Sequence, residues 1–484
     1  MQYSVVNYKT VKENSDFRID GDYFRPDFLN SLELVKSHDN FILSEISNVN
    51  GGKRLPLGEN FSDEGVPYIR AEDIKNGFVQ YESSPKISLK LHDFLKRYQT
   101  KKNDVLITIV GNSIGDVGLV KFNLEKCNLT ENCAKVTNLK NIIPEFLFAF
   151  LLSKHGQIQI HREKVGTAQP KLALERIRKF KIPLFSNDFQ SKFSKIINQA
   201  NSLIDNSKSL YSQAEQLLLS ELGLLDWKPK HELAFVKNFS DAKKSDRFDA
   251  EYFQPKYEEI VEAVKKYKPT FAKATTGESG FEELGNLVKL KKSVEPGSEA
   301  YQENGIPFVR VSNLSKFELS DNNQQFISEE LYAELKNHQL KKGEILLSKD
   351  ATPGMAYYLN EEPQKMIVSG GILRLKIDNK QVLPEYLTLV LNSVIVQKQI
   401  ERDAGGSIIN HWRPDQVKAT LIPILKEDKQ KEIKELVEKS FNDKKLSKSL
   451  LEIAKRGVEM AIEKDEQEAR KWIDGEVAKL GIKI

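Results

Sequence analysis

The chain is written twice. Arg18 to Phe28 reads RIDGDYFRPDF, and Arg247 to Tyr257 reads RFDAEYFQPKY, an offset of 229 residues. Gly65 to Arg70 (GVPYIR) returns as Gly305 to Arg310 (GIPFVR), now at an offset of 240. The difference places an insertion in the second copy, and Thr270 to Gly280, polar and Gly-bearing, reads as that surface loop. Beyond it the offset holds. Lys101 to Leu106 matches Lys341 to Leu346, Pro144 to Leu147 matches Pro384 to Leu387, and Ile182-Pro183 matches Ile422-Pro423. A chain so built must fold as one large unit repeated, not as one core.

Each copy ends in a long helical stretch. Asp188 to Leu222 contains no Pro or Gly, and Phe193, Ile196, Ala200, Leu203, Ser207, Leu210, Ala214 and Leu217 step by three and four. So narrow a seam, recurring every seven residues, calls for a single partner helix. The same register returns 240 residues later in Ile433, Leu436, Leu450 and Ala454, with Ser440 and Asp443 interrupting its first half. The two helices are expected to pair with each other.

Within a copy, Tyr23 to Val35 reads as a short helix and Leu43 to Val49 as the start of a strand, turned by Gly51-Gly52. Val66 to Arg70, Asp104 to Val110 and Val117 to Phe122 read as strands, the second buried by its β-branching. Pro144 to Ser153 opens a helix with Pro at its first position, and Ile177 to Leu184 closes the globular part as a strand. Strands and helices mix without a βαβ rhythm. The fold class is therefore α+β.

A net charge of +4 excludes a polybasic arm but not a local basic face. Such faces exist in Arg162, Lys164, Lys171, Arg176, Arg178, Lys179 and Lys181, in Lys289, Lys291 and Lys292, and in Lys53-Arg54. No run of eighteen apolar residues is present, and the start lacks a secretory layout, so a cytoplasmic chain outside the membrane is expected. Cys127 and Cys133 lack metal-site spacing and are expected to be buried or idle thiols.

Catalytic motifs are sparse. Gly111-Asn-Ser-Ile-Gly115 matches the G-x-S-x-G nucleophile elbow, but that motif needs a helix directly behind its Ser, and Asp116 to Phe122 reads as extended. The matching loop, Ala351 to Gly354, has no Ser at that position. The chain has no phosphate-binding G-x-x-x-x-G-K-[ST] loop, no H-E-x-x-H, and neither Asp-Pro-Pro-Tyr nor Asn-Pro-Pro-Tyr. What recurs is polar loops after Gly: Gly166-Thr-Ala-Gln-Pro-Lys171 aligns with Gly406-Ser-Ile-Ile-Asn-His411, which runs on into Trp412 and Arg413. Thr, Gln, Asn, Lys and Arg read base edges or hold phosphates.

Two unlike globular halves, each followed by a seven-residue-seam helix, resemble the DNA-specificity subunit of a type I restriction-modification enzyme. The turns at 65 and 305, the K-K-x-[DE]-[VI]-L entries at 101 and 341, the Gly-Asn-Ser-Ile-Gly turn and the Gly-Thr-Ala-Gln-Pro-Lys loop carry the likeness. It covers nearly the whole chain. It implies a first target-recognition domain at 1–187, a central spacer helix at 188–225, a second target-recognition domain at 226–426 and a C-terminal spacer helix at 427–484, the two helices forming an antiparallel coiled coil. Each domain would read one half of a bipartite, asymmetric site on double-stranded DNA. Two methyltransferase subunits holding S-adenosylmethionine would methylate adenine, and a separate motor-nuclease restriction subunit would cut. This chain would hold no cofactor and no catalytic residue.

A helix of about 35 residues is roughly 50 Å long, a length that spaces two readers by about a turn to a turn and a half of duplex. The candidate DNA-binding residues are Lys53, Arg54, Arg70, Asn112, Ser113, Gln169 and Lys171 in the first half. In the second they are Lys291, Lys292, Arg310, Lys349, His411 and Arg413. Arg70 and Arg310 serve equally well as turn anchors. Two other readings compete: a coiled-coil adaptor that binds only proteins, and a hydrolase using Ser113.

Overall fold

The computed structural model describes residues 4–13, 18–120, 126–166, 169–268, 280–404 and 411–483. Residues 270–279 of the expected insertion, Phe122, Thr167-Ala168 and Gly406 to Asn410 lie outside the described residues. The chain divides into two compact units: Met1–Asp205 with Lys444–Ile484, and Asn206–Asp443. Both boundaries fall inside long helices, Asn187–Glu221 and Glu427–Glu463. The sequence division at 188–225 and 427–484 therefore differs from the compact units, because each half of the helix pair packs into the core of a lobe.

In the first unit an antiparallel sheet takes the order Asn48–Gly51, Cys133–Thr137, Val105–Thr108, Val117–Leu119. Val105 to Thr108 are all buried, as their β-branched and apolar side chains demand. A second sheet orders Lys86–Ile87, Val66–Ile69, Cys127–Leu129 and Gln99–Thr100, with Val66–Ile69 parallel to Cys127–Leu129. Both cysteines are buried in these strands, and burial pushes the Cys127 thiol up to about 11. Helices Pro144–Leu152 and Lys154–Glu163 cover the first sheet.

The second unit repeats the plan. Its sheet orders Val288–Lys291, Ile372–Ile377, Glu344–Ser348 and Ala356–Tyr358, beside a smaller sheet of Gln325–Ile327, Ile306–Val309 and Ile367–Val368.

Two expected strands are different. Leu43–Ile46 is a helical turn: the Leu43 and Ser44 amides donate to Phe180 and Arg178 carbonyls, and the Glu45 carboxylate accepts from the Ile42 amide. At the other end Leu174–Ile177 is also a helical turn, leaving Lys181–Pro183 as the closing strand, paired with Asn40–Ile42.

The helix pair is antiparallel within each unit, as expected. In the first, the Ser447 hydroxyl donates to the Ala200 carbonyl (2.7 Å), while Gly457 lies near Phe193. In the second, the Ser440 hydroxyl donates to the Ser207 carbonyl (2.7 Å), and Lys429 reaches Glu221 at 3.7 Å. Three of the eight expected seam places on the first helix are shifted by one residue. Phe193, Ile196, Ala200, Ser207 and Ala214 are buried, but Leu203, Leu210 and Leu217 are only half-buried; Ile204, Tyr211 and Leu218 take their inner places, and Ile197 is buried beside Ile196. On the second helix Val437 likewise replaces Leu436. The helices must face a lobe as well as each other, so the apolar stripe is wider than a two-helix seam.

The C-terminal stretch is not one spacer helix. It stops at Glu463, Asp465 caps a new helix Glu466–Lys479 by accepting from the Glu468 amide (2.8 Å), and Ile473 seats over Gly457. No described helix is long and apolar enough to cross a membrane.

Candidate nucleic-acid interface

In the first unit backbone pairing gathers the candidates at one rim. The Lys53 amide donates to the Leu129 carbonyl (2.9 Å), the Thr130 amide to Ile69 beside Arg70 (3.0 Å), and the Ile109 amide to Asn132 (2.8 Å). Val110 pairs with Lys171, which draws the Gly111–Gly115 turn against Gln169 to Lys171. Lys53, Arg54, Asn112, Gln169 and Lys171 are exposed; Ser113 is half-buried.

The turn is seated by Gly115, whose φ of +102° suits glycine. A Cβ there would lie 2.8 Å from Gln157, whose side-chain amide donates to the Gly115 carbonyl (2.9 Å). Gly354 meets Gln397 in the same way in the second unit. The segment behind Ser113 is the strand Val117–Leu119, and no hydrogen bond joins the Ser113 hydroxyl to a histidine among the described residues. An elbow geometry is absent there.

The second unit builds the same rim. The Ser369 amide donates to Val309 beside Arg310 (2.9 Å), and the Lys349 amide donates to Gly371 (2.9 Å). Asp350 pairs with His411, and Val294 pairs with Ser369, bringing in the exposed Lys291 and Lys292 three and two residues earlier. Buried Trp412 anchors this edge, its amide donating to the Lys349 carbonyl (2.8 Å).

The side chains are not equally available. Arg54 pairs with Glu131 at 2.6 Å yet stays 81% exposed. Arg70 is held by Asp73 (3.1 and 3.2 Å) and touches Glu72, so it anchors its turn. Arg310 donates to the Asn323 carbonyl (2.6 Å) and, with Asn313 standing where Asp73 stands, has no carboxylate partner among the described residues. Lys349 is turned onto Asp350, whereas Arg413 is exposed, 3.5 Å from Asp415. Sequence reasoning passed over Glu131 and Asp350. Their only signal was position, each lying beside a basic candidate's loop.

Burial would push the Asp350 carboxyl up, but hydrogen bonds from Lys349 and His411 outweigh it and hold the group below the usual carboxylate range. Asp116, beside the Gly111–Gly115 turn, behaves oppositely: burial raises it to about 6, with Lys75 opposing. A carboxyl raised in the folded state binds more protons there than when unfolded, so its stabilising protonated form is lost as pH rises from about 4 through about 6. Asp116→Asn is therefore expected to stabilise the first unit by about 1–2 kcal/mol at pH 7.5, allowing for solvent screening of a half-buried group. The gain should vanish near pH 4. Urea titrations at the two pH values check it, and equal effects at both would contradict it.

Each of the two units bears an exposed polar rim of its own composition. The chain belongs to the family described as the type I restriction modification DNA specificity domain, whose model matches residues 36–216 and 278–455. It is similar to the type I restriction enzyme EcoBI specificity subunit of Escherichia coli, 29% identical over 158 residues, covering 32% of this chain and 33% of that one. The MjaVIII specificity subunit of Methanocaldococcus jannaschii is 23% identical over 191 residues, covering 38% and 44%. These alignments span less than half the length of either relative. Among solved structures, the S subunit of a type I system from M. genitalium overlays 92% of this chain and 96% of its own at 14% identity and a TM-score of 0.37. The HsdS subunit of Thermoanaerobacter tengcongensis overlays 88% and 97% at 16% identity and a TM-score of 0.27.

Proposed function

We propose that this chain is the DNA-binding specificity subunit of a type I restriction-modification complex, with each unit reading one half of a bipartite duplex target. The observation that carries the reading is the doubled rim: one backbone scaffold presents Lys53, Arg54 and Lys171 in the first unit, and Lys291, Lys292, His411 and Arg413 in the second. Equal scaffolds with unequal side chains suit two unlike half-sites. The Lys and Arg side chains would contribute salt-sensitive phosphate affinity, and base edges would contribute discrimination. On this reading catalysis belongs to the partners: two methyltransferase subunits that use S-adenosylmethionine to methylate adenine, and a restriction subunit that cuts, all in the cytoplasm.

The test is equilibrium binding to duplex DNA with the methyltransferase partner present, across a salt series. Affinity is expected to fall steeply with salt, and Lys171→Ala to weaken binding without unfolding the chain; where Lys171 meets a phosphate the salt slope should drop by about one. Salt-insensitive association with the partner alone would favour the protein-binding adaptor. Methylation mapping in a host should return two unlike half-sites around a gap, and a continuous palindrome would refute the asymmetric reading.

A further inference from the structure

Lys171 and His411 occupy one place in the repeated fold. Val110 pairs with Lys171 as Asp350 pairs with His411, and the next residues, Leu172 and Trp412, donate their amides to Ile109 (2.9 Å) and Lys349 (2.8 Å). Both side chains sit on the rim, His411 with 59% of its side chain exposed. Their hydrogen-bonding characters differ. An ammonium only donates. The character of an imidazole depends on which nitrogen holds the proton, and at position 411 a neighbour settles that.

The Nδ1 of His411 lies 2.8 Å from Asp350 Oδ1, while Asp350 Oδ2 takes the Lys349 ammonium. An ionised carboxylate can only accept, so Nδ1 must carry the hydrogen, and Nε2 of the neutral ring is left as an acceptor. Among the described residues nothing pairs with that Nε2. In the major groove an acceptor finds its match in the exocyclic amine of adenine (N6) or cytosine (N4), and it is repelled by guanine O6 and thymine O4. Lys171 has the reverse preference, for guanine O6/N7 or thymine O4.

Resting on the proposed function, we infer that Asp350 is a positioning residue that makes His411 a reader of an amino base in the second half-site, while Lys171 at the matching place favours a keto base in the first. The two half-sites thus carry opposite hydrogen-bond polarity at corresponding positions. Neither Arg413, exposed nearby, nor Lys349, committed to Asp350, can supply the acceptor.

The experiment uses the full chain with its methyltransferase subunits at pH 8.5, above the range in which imidazoles ordinarily titrate. Binding is measured to duplexes in which each base pair of the mapped second half-site is replaced in turn. The wild type should show one position where an amino-to-keto change costs about tenfold or more. His411→Lys should reverse the preference at that position and no other. Asp350→Asn, which frees the tautomer, should flatten discrimination there while retaining affinity for the other positions. Circular dichroism of each variant confirms folding. Unchanged discrimination in His411→Lys, or weakening equal on every sequence as a phosphate contact gives, overturns the polarity assignment and leaves the DNA-binding reading standing. A wild-type complex with no sequence preference overturns both.

Discussion

Removing residues 444–484 is expected to unfold the first unit and leave the second folded. That segment supplies Leu450, Ile453, Ala454, Val458, Ile462 and Ile473 to the same core as Phe146, Phe189 and Phe193. Burying one large aliphatic side chain contributes about 1.5–3 kcal/mol, so the losses together are on the order of 10 kcal/mol. A domain's entire stability is about 5–15 kcal/mol. The hydrophobic core of the second unit, among the described residues, includes none of the deleted stretch. Hydrogen exchange read by mass spectrometry separates the outcomes: Val105–Thr108 and Pro144–Leu152 should lose protection while Glu344–Ser348 and Pro384–Asn392 keep it. Persisting protection at Val105–Thr108 would mean the paired helices are an appendage to the lobe and not part of its core.

Arg374→Met should cost the second unit about 3–5 kcal/mol. Arg374 is 2% exposed and its guanidinium grips Glu344 through Nη2–Oε1 (2.7 Å) and Nε–Oε2 (3.1 Å), and also donates to the Gln339 (2.7 Å) and Asn337 (3.1 Å) carbonyls. Deleting it strands a buried carboxylate and two carbonyls. Arg374→Lys should recover little, because one ammonium cannot span both oxygens and both carbonyls. Pairing Arg374→Met with Glu344→Leu should restore most of the loss by removing both charges. The readout is local exchange across Glu344–Ser348 in urea, since a two-unit chain does not melt in one step. A loss below about 1 kcal/mol in the single variant would show that water reaches the pair.

The duplication made most of this legible. Matched motifs place the strands Val66–Ile69 and Val105–Thr108 and the helix Pro144–Leu152, because β-branching and a Pro at the first helical position are local signals. Leu43–Ile46 was not legible: its conformation is decided by carbonyls of Arg178 and Phe180, more than 130 residues away in sequence. The seam was right at five of its eight places on the first helix, since a heptad count sees one partner and cannot know that Tyr211 must meet Phe317 of its own lobe at 4.8 Å. At the rim, residue type left Arg70 between base contact and turn anchor and offered Lys349 as a DNA contact, whereas Asp73 and Asp350 hold them. Ion pairing is a tertiary fact, and nearby carboxylates in the sequence do not reveal which cation they hold.

The interrupted ancestry of the first unit bears on how the molecule is born. A ribosome delivers residues 18–205 early, yet the part of their apolar helix face that does not pack on Phe146 and Phe185 stays open until residues 444–484 emerge. The uninterrupted stretch 206–443 can complete itself meanwhile. Maturation therefore runs against the direction of translation, the later-made lobe setting before the earlier one, and the nascent first lobe spends more than 230 residues of synthesis as a sticky, half-made surface.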